Sequence, residues 1–233
     1  MKTYIIAEAG TGHVSRETED RSDRAAEFIY HAARAGADAV KFQMFVRDEP
    51  LFCPLTGDDD RMLRWNLTAL DLDHWRRLQI YADQWGIDLL WSVFQPTAVE
   101  MLKSLKPRYV KVASRAAQSF PYDALPGAKF IVSTGMGQPN RHDNFILKCR
   151  SEYPTPLEKT GPFIDGDFYH GLSDHSGTIW PGLDAIAHGA RFLEVHFKIP
   201  GADMGNDEPV CLTTDQLKLL CEARDAFARM HAA

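Results

Sequence analysis

A (β/α)8 TIM barrel is predicted by three features of the chain. Eight short apolar runs recur along it, most of them separated by stretches with helical periodicity. The runs are continuous rather than alternating, as strands buried on both faces are. A glycine-alanine turn also recurs before three of them: Gly36-Ala37 before Ala39–Phe42, Gly127-Ala128 before Phe130–Ser133, and Gly189-Ala190 before Phe192–His196. The 233 residues fall slightly below the roughly 250 usual for this fold. A doubly wound open sheet is the structural alternative, because two connections break the repeat. No GxGxxG, GxxxxGKS or GxxxxGKT run supports a nucleotide-binding sheet.

Tyr4–Ala9 reads as the first strand, and a polar loop follows from Thr11 to Asp20. Ala25, Phe28, Ile29, Ala32 and Ala33 then recur at helical spacing, and Gly36 closes that helix. Ala39–Phe42 is the second strand. Leu72, Trp75, Leu78 and Ala82 mark a helix ended by Gly86. Asp88–Ser92 is the third strand, and Thr97–Ser104 is a short helix. Tyr109–Ala113, Phe130–Ser133 and Phe145–Cys149 are strands four to six, and Tyr169–Ser173 is a weaker seventh. Leu183–His188 is helical, Phe192–His196 is the eighth strand, and Thr213 caps a final helix over Thr214–Met230. Only eleven residues separate Ser133 from Phe145, among them Gly135, Gly137 and Pro139. Pro154–His170 also reads as loop. The barrel is therefore expected to be partly degenerate, with crossover helices shortened or missing after strands five and six. One domain is expected over residues 1–233.

Composition narrows the function classes. The chain is 45% apolar, with 26 Lys plus Arg against 32 Asp plus Glu and a net charge of −6. This excludes disorder, collagen and coiled coil. No long basic run is present, so neither nucleic acid nor an anionic membrane is an expected partner. No stretch approaches a membrane span, and the N-terminal apolar run is too short for a signal peptide. Cys53, Cys149, Cys211 and Cys221 show no CxxC spacing and read as bland thiols. A soluble, cytoplasmic protein is expected. Trp65, Trp75 and Trp85 read as packing residues, and Asp58, Asp59 and Asp60 as a solvated loop. His31, His74 and His188 fall on helices, and His142 and His170 in loops.

Active sites of such barrels lie at the C-terminal ends of the strands. Polar residues cluster there: Glu8, Lys41, Gln43, Ser92, Lys111, Ser114, Ser133, Ser151, Tyr153, Ser173, His175, Glu194 and His196. Lys41 and Gln43 share a strand face, as do Glu194 and His196. A charge in a buried strand is costly unless paired. Lys41, Lys111 and Glu194 at the same end therefore point to a pocket. Two lysines with several hydroxyls suit a phosphate or carboxylate. His175 and His196 match no standard zinc spacing. If they end adjacent strands, they can meet across the mouth, and with carboxylates they would suit Mn²⁺, Mg²⁺ or Zn²⁺.

These segments resemble the N-acetylneuraminate (sialic acid) synthase family, which includes legionaminate and pseudaminate synthases. The matching runs are IIAEAGTGH (5–13), AGADAVKFQ (35–43), YVKVAS (109–114), IVSTGMG (131–137), CRSEYPTP (149–156), GLSDHSG (171–177) and GARFLEVHF (189–197). The resemblance implies a barrel that condenses phosphoenolpyruvate with an N-acyl amino sugar, giving a nonulosonic acid and phosphate. It implies a divalent metal held by His175 and His196, Mn²⁺ first, with Mg²⁺ or Co²⁺ as alternatives. It implies a phosphoenolpyruvate pocket from Lys41, Ser92, Lys111, Ser114, Ser133, Ser151 and Ser173. Gln43 would face the substrates, and Glu8, Glu194, Tyr153 and Asp207 would stand near the reacting carbons or the sugar. Glu8, Lys111, Glu194 and Asp207 form the expected catalytic set, with either glutamate able to handle the water.

The chain departs from the family pattern at several positions. Gly12 replaces the usual Asn before His13. Ser114-Arg115-Ala116 replaces Ser-Gly-Glu, so a sugar-contacting carboxylate is missing; Arg115 would bind a more acidic acceptor or fill the site. The C-terminal antifreeze-like domain of the family has no counterpart in these residues. The competing expectations are a non-catalytic barrel partner of a full-length synthase, or another aldol-type synthase that uses phosphoenolpyruvate. A homodimer is expected if a second copy covers flanks left bare by the lost helices.

Overall fold

Strands that are apolar on both faces must be covered on both, and closing the sheet achieves this. In the computed structural model, which describes residues 2–137, 144–163 and 168–232, the eight expected strands form a closed parallel barrel in sequence order. They are β1 (Tyr4–Gly10), β2 (Ala39–Met44), β3 (Asp88–Val93), β4 (Val110–Val112), β5 (Phe130–Ser133), β6 (Phe145–Cys149), β7 (Gly171–Asp174) and β8 (Phe192–His196). The helices are α1 (Thr18–Ala35), α2 (Asp58–Asn66), α3 (Leu72–Trp85), α4 (Pro96–Leu105), α5 (Leu157–Thr160), α6 (Trp180–Ala187) and α7 (Thr214–Met230). The glycine of each glycine-alanine turn is left-handed, with φ of 90° at Gly36, 78° at Gly127 and 79° at Gly189. The recurring dipeptide is thus a repeated backbone reversal that feeds a strand. Thr213 caps α7 in a reciprocal capping box with Gln216. No helix among the described residues is long and apolar enough to cross a membrane.

Three local expectations change. α1 starts at Thr18 rather than beyond Asp20, because its first turn is polar and faces solvent, hiding the apolar period. Asp58, Asp59 and Asp60 are not a loop. They open α2 after a left-handed Gly57, where carboxylates complement the helix N-terminus, and Asp58 is buried. The β4–β5 connection also lacks an α-helix, carrying only 3-10 turns at Ser114–Ala116 and Tyr122–Ala124. Phe120, Tyr122 and Phe130 fill that flank instead, with ring centroids 5.0–5.8 Å apart. Between β6 and β7 the described residues carry only the four-residue α5. Pro139 and His142, in the β5–β6 connection, lie outside the described residues.

The barrel interior is layered. Tyr4, Ile6, Ala39, Leu90, Tyr109, Ile131, Phe145, Leu147 and Phe192 form an apolar plug at the N-terminal end. Tyr4 packs edge-on to Tyr109 and Phe192 at 5.5 and 5.8 Å. The period of two then places the next inward residue of each strand in a layer above: Glu8, Lys41, Ser92, Lys111, Ser133, Cys149, Ser173 and Glu194. Strand register pairs Glu8 with Lys41, Ser92 with Lys111, and Ser173 with both Cys149 and Glu194. β7 reaches β8 closely at Gly171, where an added Cβ would fall on the backbone carbonyl of Phe192. Gly171→Ala is expected to destabilise the fold by about 3 kcal/mol or more, since backbone rather than a pliable side chain must yield. Urea unfolding of the two proteins measures the difference.

Candidate active site

Two lysines and two glutamates share the layer above the plug, and all four are at most 4% exposed. Lys41 Nζ stands 2.6 Å from Glu8 Oε2 and 3.6 Å from Glu194 Oε2. Lys111 Nζ lies 3.3 Å from Glu194 Oε1 and donates to Ser133 Oγ at 2.8 Å. Ser173 donates to Glu194 Oε1 at 2.8 Å, and Lys41 donates to Ser92 Oγ at 3.3 Å. Each charge is thus compensated, as burial demands.

Burial and pairing separate the two carboxylates. Desolvation raises the Glu8 carboxyl to about 7, with Lys41 opposing and Glu194 adding to the rise. Desolvation also works against the Glu194 carboxylate, but Lys111 and Lys41 together overcome it and hold the group well below its usual range. Burial lowers Lys111, whereas Glu194 and Glu8 outweigh burial and raise Lys41. The two carboxyls are therefore driven in opposite directions, Glu194 toward the anion by its two lysines and Glu8 toward the protonated form by burial.

Above this layer sit the two imidazoles. The rings of His175 and His196 have centroids 5.3 Å apart. Burial lowers His175 to about 4, helped by His196, and lowers His196 to about 3, helped by Lys41 and Lys111. Both are neutral at physiological pH. His196 Nδ1 is buried without a hydrogen-bond partner, 3.8 Å from Asp207 Oδ2. Asp207 comes from a 3-10 turn over Gly205–Val210, and burial raises its carboxyl. A Cβ added to Gly10 would stand 3.0 Å from Asp207 Oδ2, 3.6 Å from Glu8 Oε1 and 3.8 Å from Gln43 Nε2. The bare backbone at Gly10 thus lets three polar side chains converge. Neutral imidazoles, a nearby carboxylate and the orphaned His196 Nδ1 fit a divalent ion in kind. Among the described residues no three His, Cys, Asp or Glu side chains already form a closed cluster.

Ser114 and Ser151 gather at a second point on the rim. Ser151 donates to Ser114 Oγ at 3.2 Å, and the Met136 backbone N–H donates to the same oxygen at 2.6 Å. Hydroxyls gathered in this way suit anion oxygens.

Arg115 does not join the site residues. Its guanidinium pairs with Asp58, donates to the Cys53 carbonyl at 2.8 Å and lies 5.9 Å from the Trp65 ring centroid. The buried Asp58 carboxylate requires that cation, and this pairing ties the β4 loop to α2. Ala116 beside it is fully buried. The space at Gly12 is taken as well: a Cβ there would meet Phe28 at 2.5 Å and Met204 at 2.7 Å. His13 is a structural residue, fully buried against Phe42 and Trp75, with Nε2 3.0 Å from the Thr68 carbonyl.

Cys149 is the residue that composition undervalues. Counting inward positions from Phe145 and Leu147 brings it into the charged layer, and its Sγ lies 3.9 Å from His175 Nδ1. Burial raises its thiol despite Lys111, so it walls the pocket as a neutral group.

Comparison with known proteins agrees with this architecture. The family model described as NeuB matches residues 28–232. N,N'-diacetyllegionaminic acid synthase of Campylobacter jejuni is 30% identical over 94% of this chain and 75% of its own length. Human N-acetylneuraminate-9-phosphate synthase is 28% identical over 92% of this chain and 67% of its own. The crystal structure of a sialic acid synthetase from Leptospira borgpetersenii, in complex with citrate, superposes with a TM-score of 0.79 at 20% identity. It covers 100% of this chain and 86% of that one, and shows the shared fold.

Removing one member of the buried charge layer strands another. Glu194→Gln is expected to lower stability by about 3–5 kcal/mol. Adding Lys111→Met should restore part of that loss, and a double-mutant cycle in urea measures the coupling.

Proposed function

Because the chain belongs to the NeuB family, we propose that it condenses phosphoenolpyruvate with an N-acyl amino sugar, releasing phosphate and forming a nonulosonic acid. The observation that carries the reading is the buried layer of Lys41, Lys111, Glu8 and Glu194 opening beside His175 and His196. Lys41 and Lys111, with Ser92, Ser133 and Ser173, bind the anionic end of phosphoenolpyruvate. Ser114 and Ser151 supply hydroxyls at the rim. Gln43, Asp207 and Tyr153 face the acceptor at the mouth.

In this reading the enol carbon C3 attacks the sugar aldehyde carbon, and the aldehyde oxygen takes the electron pair. His175 and His196 would hold a divalent ion, Mn²⁺ first, which would supply Lewis-acid chemistry at the mouth. Lys41 and Lys111 lower the cost of the carboxylate and phosphate charges in a dry site. Water adds at C2, and the tetrahedral carbon then expels phosphate to leave the 2-keto acid. Glu8 suits the proton transfer from that water, because its carboxyl sits near 7, whereas Glu194 stays an anion that holds both lysines.

The direct test is phosphate release from phosphoenolpyruvate with Mn²⁺ across a panel of N-acyl amino sugars. Turnover with at least one acceptor is expected. Silence across the panel, with no phosphoenolpyruvate binding by calorimetry, would instead identify a non-catalytic barrel. Lys111→Ala should weaken phosphoenolpyruvate binding by at least about 10-fold, as loss of a charge-assisted contact does. The rate should fall as pH drops below about 7, because Glu8 gains the proton and ceases to act as base. Glu8→Gln should lower kcat and remove that limb of the pH profile.

A further inference from the structure

We propose that Tyr153 gates the divalent-ion site: its hydroxyl occupies the lone pair of His175 that an ion needs, and ion loading displaces it. The inference rests on the reading that His175 and His196 hold an ion.

Both nitrogens of His175 are engaged by one short segment after β6. Its Nδ1 lies 2.5 Å from the Arg150 carbonyl oxygen, and a carbonyl only accepts, so Nδ1 carries the proton. The single remaining lone pair is on Nε2. Tyr153 Oη lies 2.9 Å from it, so the phenol donates its proton there. The Tyr153 ring stacks on His175 with centroids 4.2 Å apart at 26°, and meets His196 edge-on at 6.0 Å. The tyrosine ring therefore contacts both imidazoles.

An imidazole Nε2 has one in-plane lone pair, so a hydroxyl and a metal ion exclude each other on it. The Arg150 carbonyl is backbone and keeps the tautomer correct for ligation after the hydroxyl leaves. Tyr153 lies in no regular helix or strand, and the residue is 45% exposed. His196 Nδ1 is buried without a hydrogen-bond partner, 3.8 Å from Asp207 Oδ2. The segment Arg150–Tyr153 thus sets the ligand's tautomer with one group and caps its lone pair with another.

The test is a Mn²⁺ titration of the full chain, with free Mn²⁺ read by its electron paramagnetic resonance signal. Wild type, Tyr153→Phe and His196→Ala are compared, and near-ultraviolet tyrosine absorbance is followed in parallel. Tyr153→Phe is expected to bind Mn²⁺ about 2- to 10-fold more tightly, since a competing hydrogen bond is gone. Mn²⁺ should perturb tyrosine absorbance in wild type and much less in Tyr153→Phe. Equal or weaker Mn²⁺ binding by Tyr153→Phe, with wild-type binding that depends on His196, would overturn the gate alone. Wild-type binding that is absent, or unchanged in His196→Ala, would overturn the ion reading and the gate with it.

Discussion

The organisation of this barrel depends on a single constraint: four charges buried in one layer must neutralise each other without water. Glu194 touches both lysines and accepts from Ser173, so it is the hub of that layer. Glu8 is the outlier, bound to Lys41 alone and with Oε1 lacking a hydrogen-bond partner. The unequal sharing holds the Glu194 carboxyl below its usual range, because two lysines face it, and leaves the Glu8 carboxyl raised by burial. A symmetric arrangement of the same four residues would give no such division of labour.

That layer was legible in the sequence because strand alternation carries it. Glu8, Lys41, Lys111 and Glu194 each interrupt an apolar run near its C-terminal end, and a period of two turns them all inward. The strand boundaries of β5, β6 and β8 are readable too, since each is a short, largely apolar run. Cys149 was missed because a thiol does not interrupt an apolar pattern, although its register with Leu147 places it inward. Asp58 was missed because its meaning lies in Arg115, a residue far away in sequence that no local pattern connects to it. The opening of α1 and the helix-free β4–β5 connection were hidden where solvent exposure or aromatic packing replaces helical periodicity.

Two arginines fasten loops at the C-terminal ends of the strands to α2. Arg115 ties the β4 loop to the start of α2, and Arg64 on α2 reaches Thr11 after β1 and the Asp203 carbonyl after β8, at 2.8 and 2.5 Å. One short helix is therefore fastened to three loops from different strands. The substitution pattern around it is coherent: Gly12 makes room for Phe28 and Met204, and Arg115 neutralises Asp58.

The aromatic plug under that layer has its own consequence for traffic. Tyr4, Tyr109, Phe145 and Phe192 fill the interior at its N-terminal end and give the charged layer an apolar floor. With that end filled, a ligand resting on the lysines would be approached from the C-terminal ends of the strands, and a second ligand would have to sit over it.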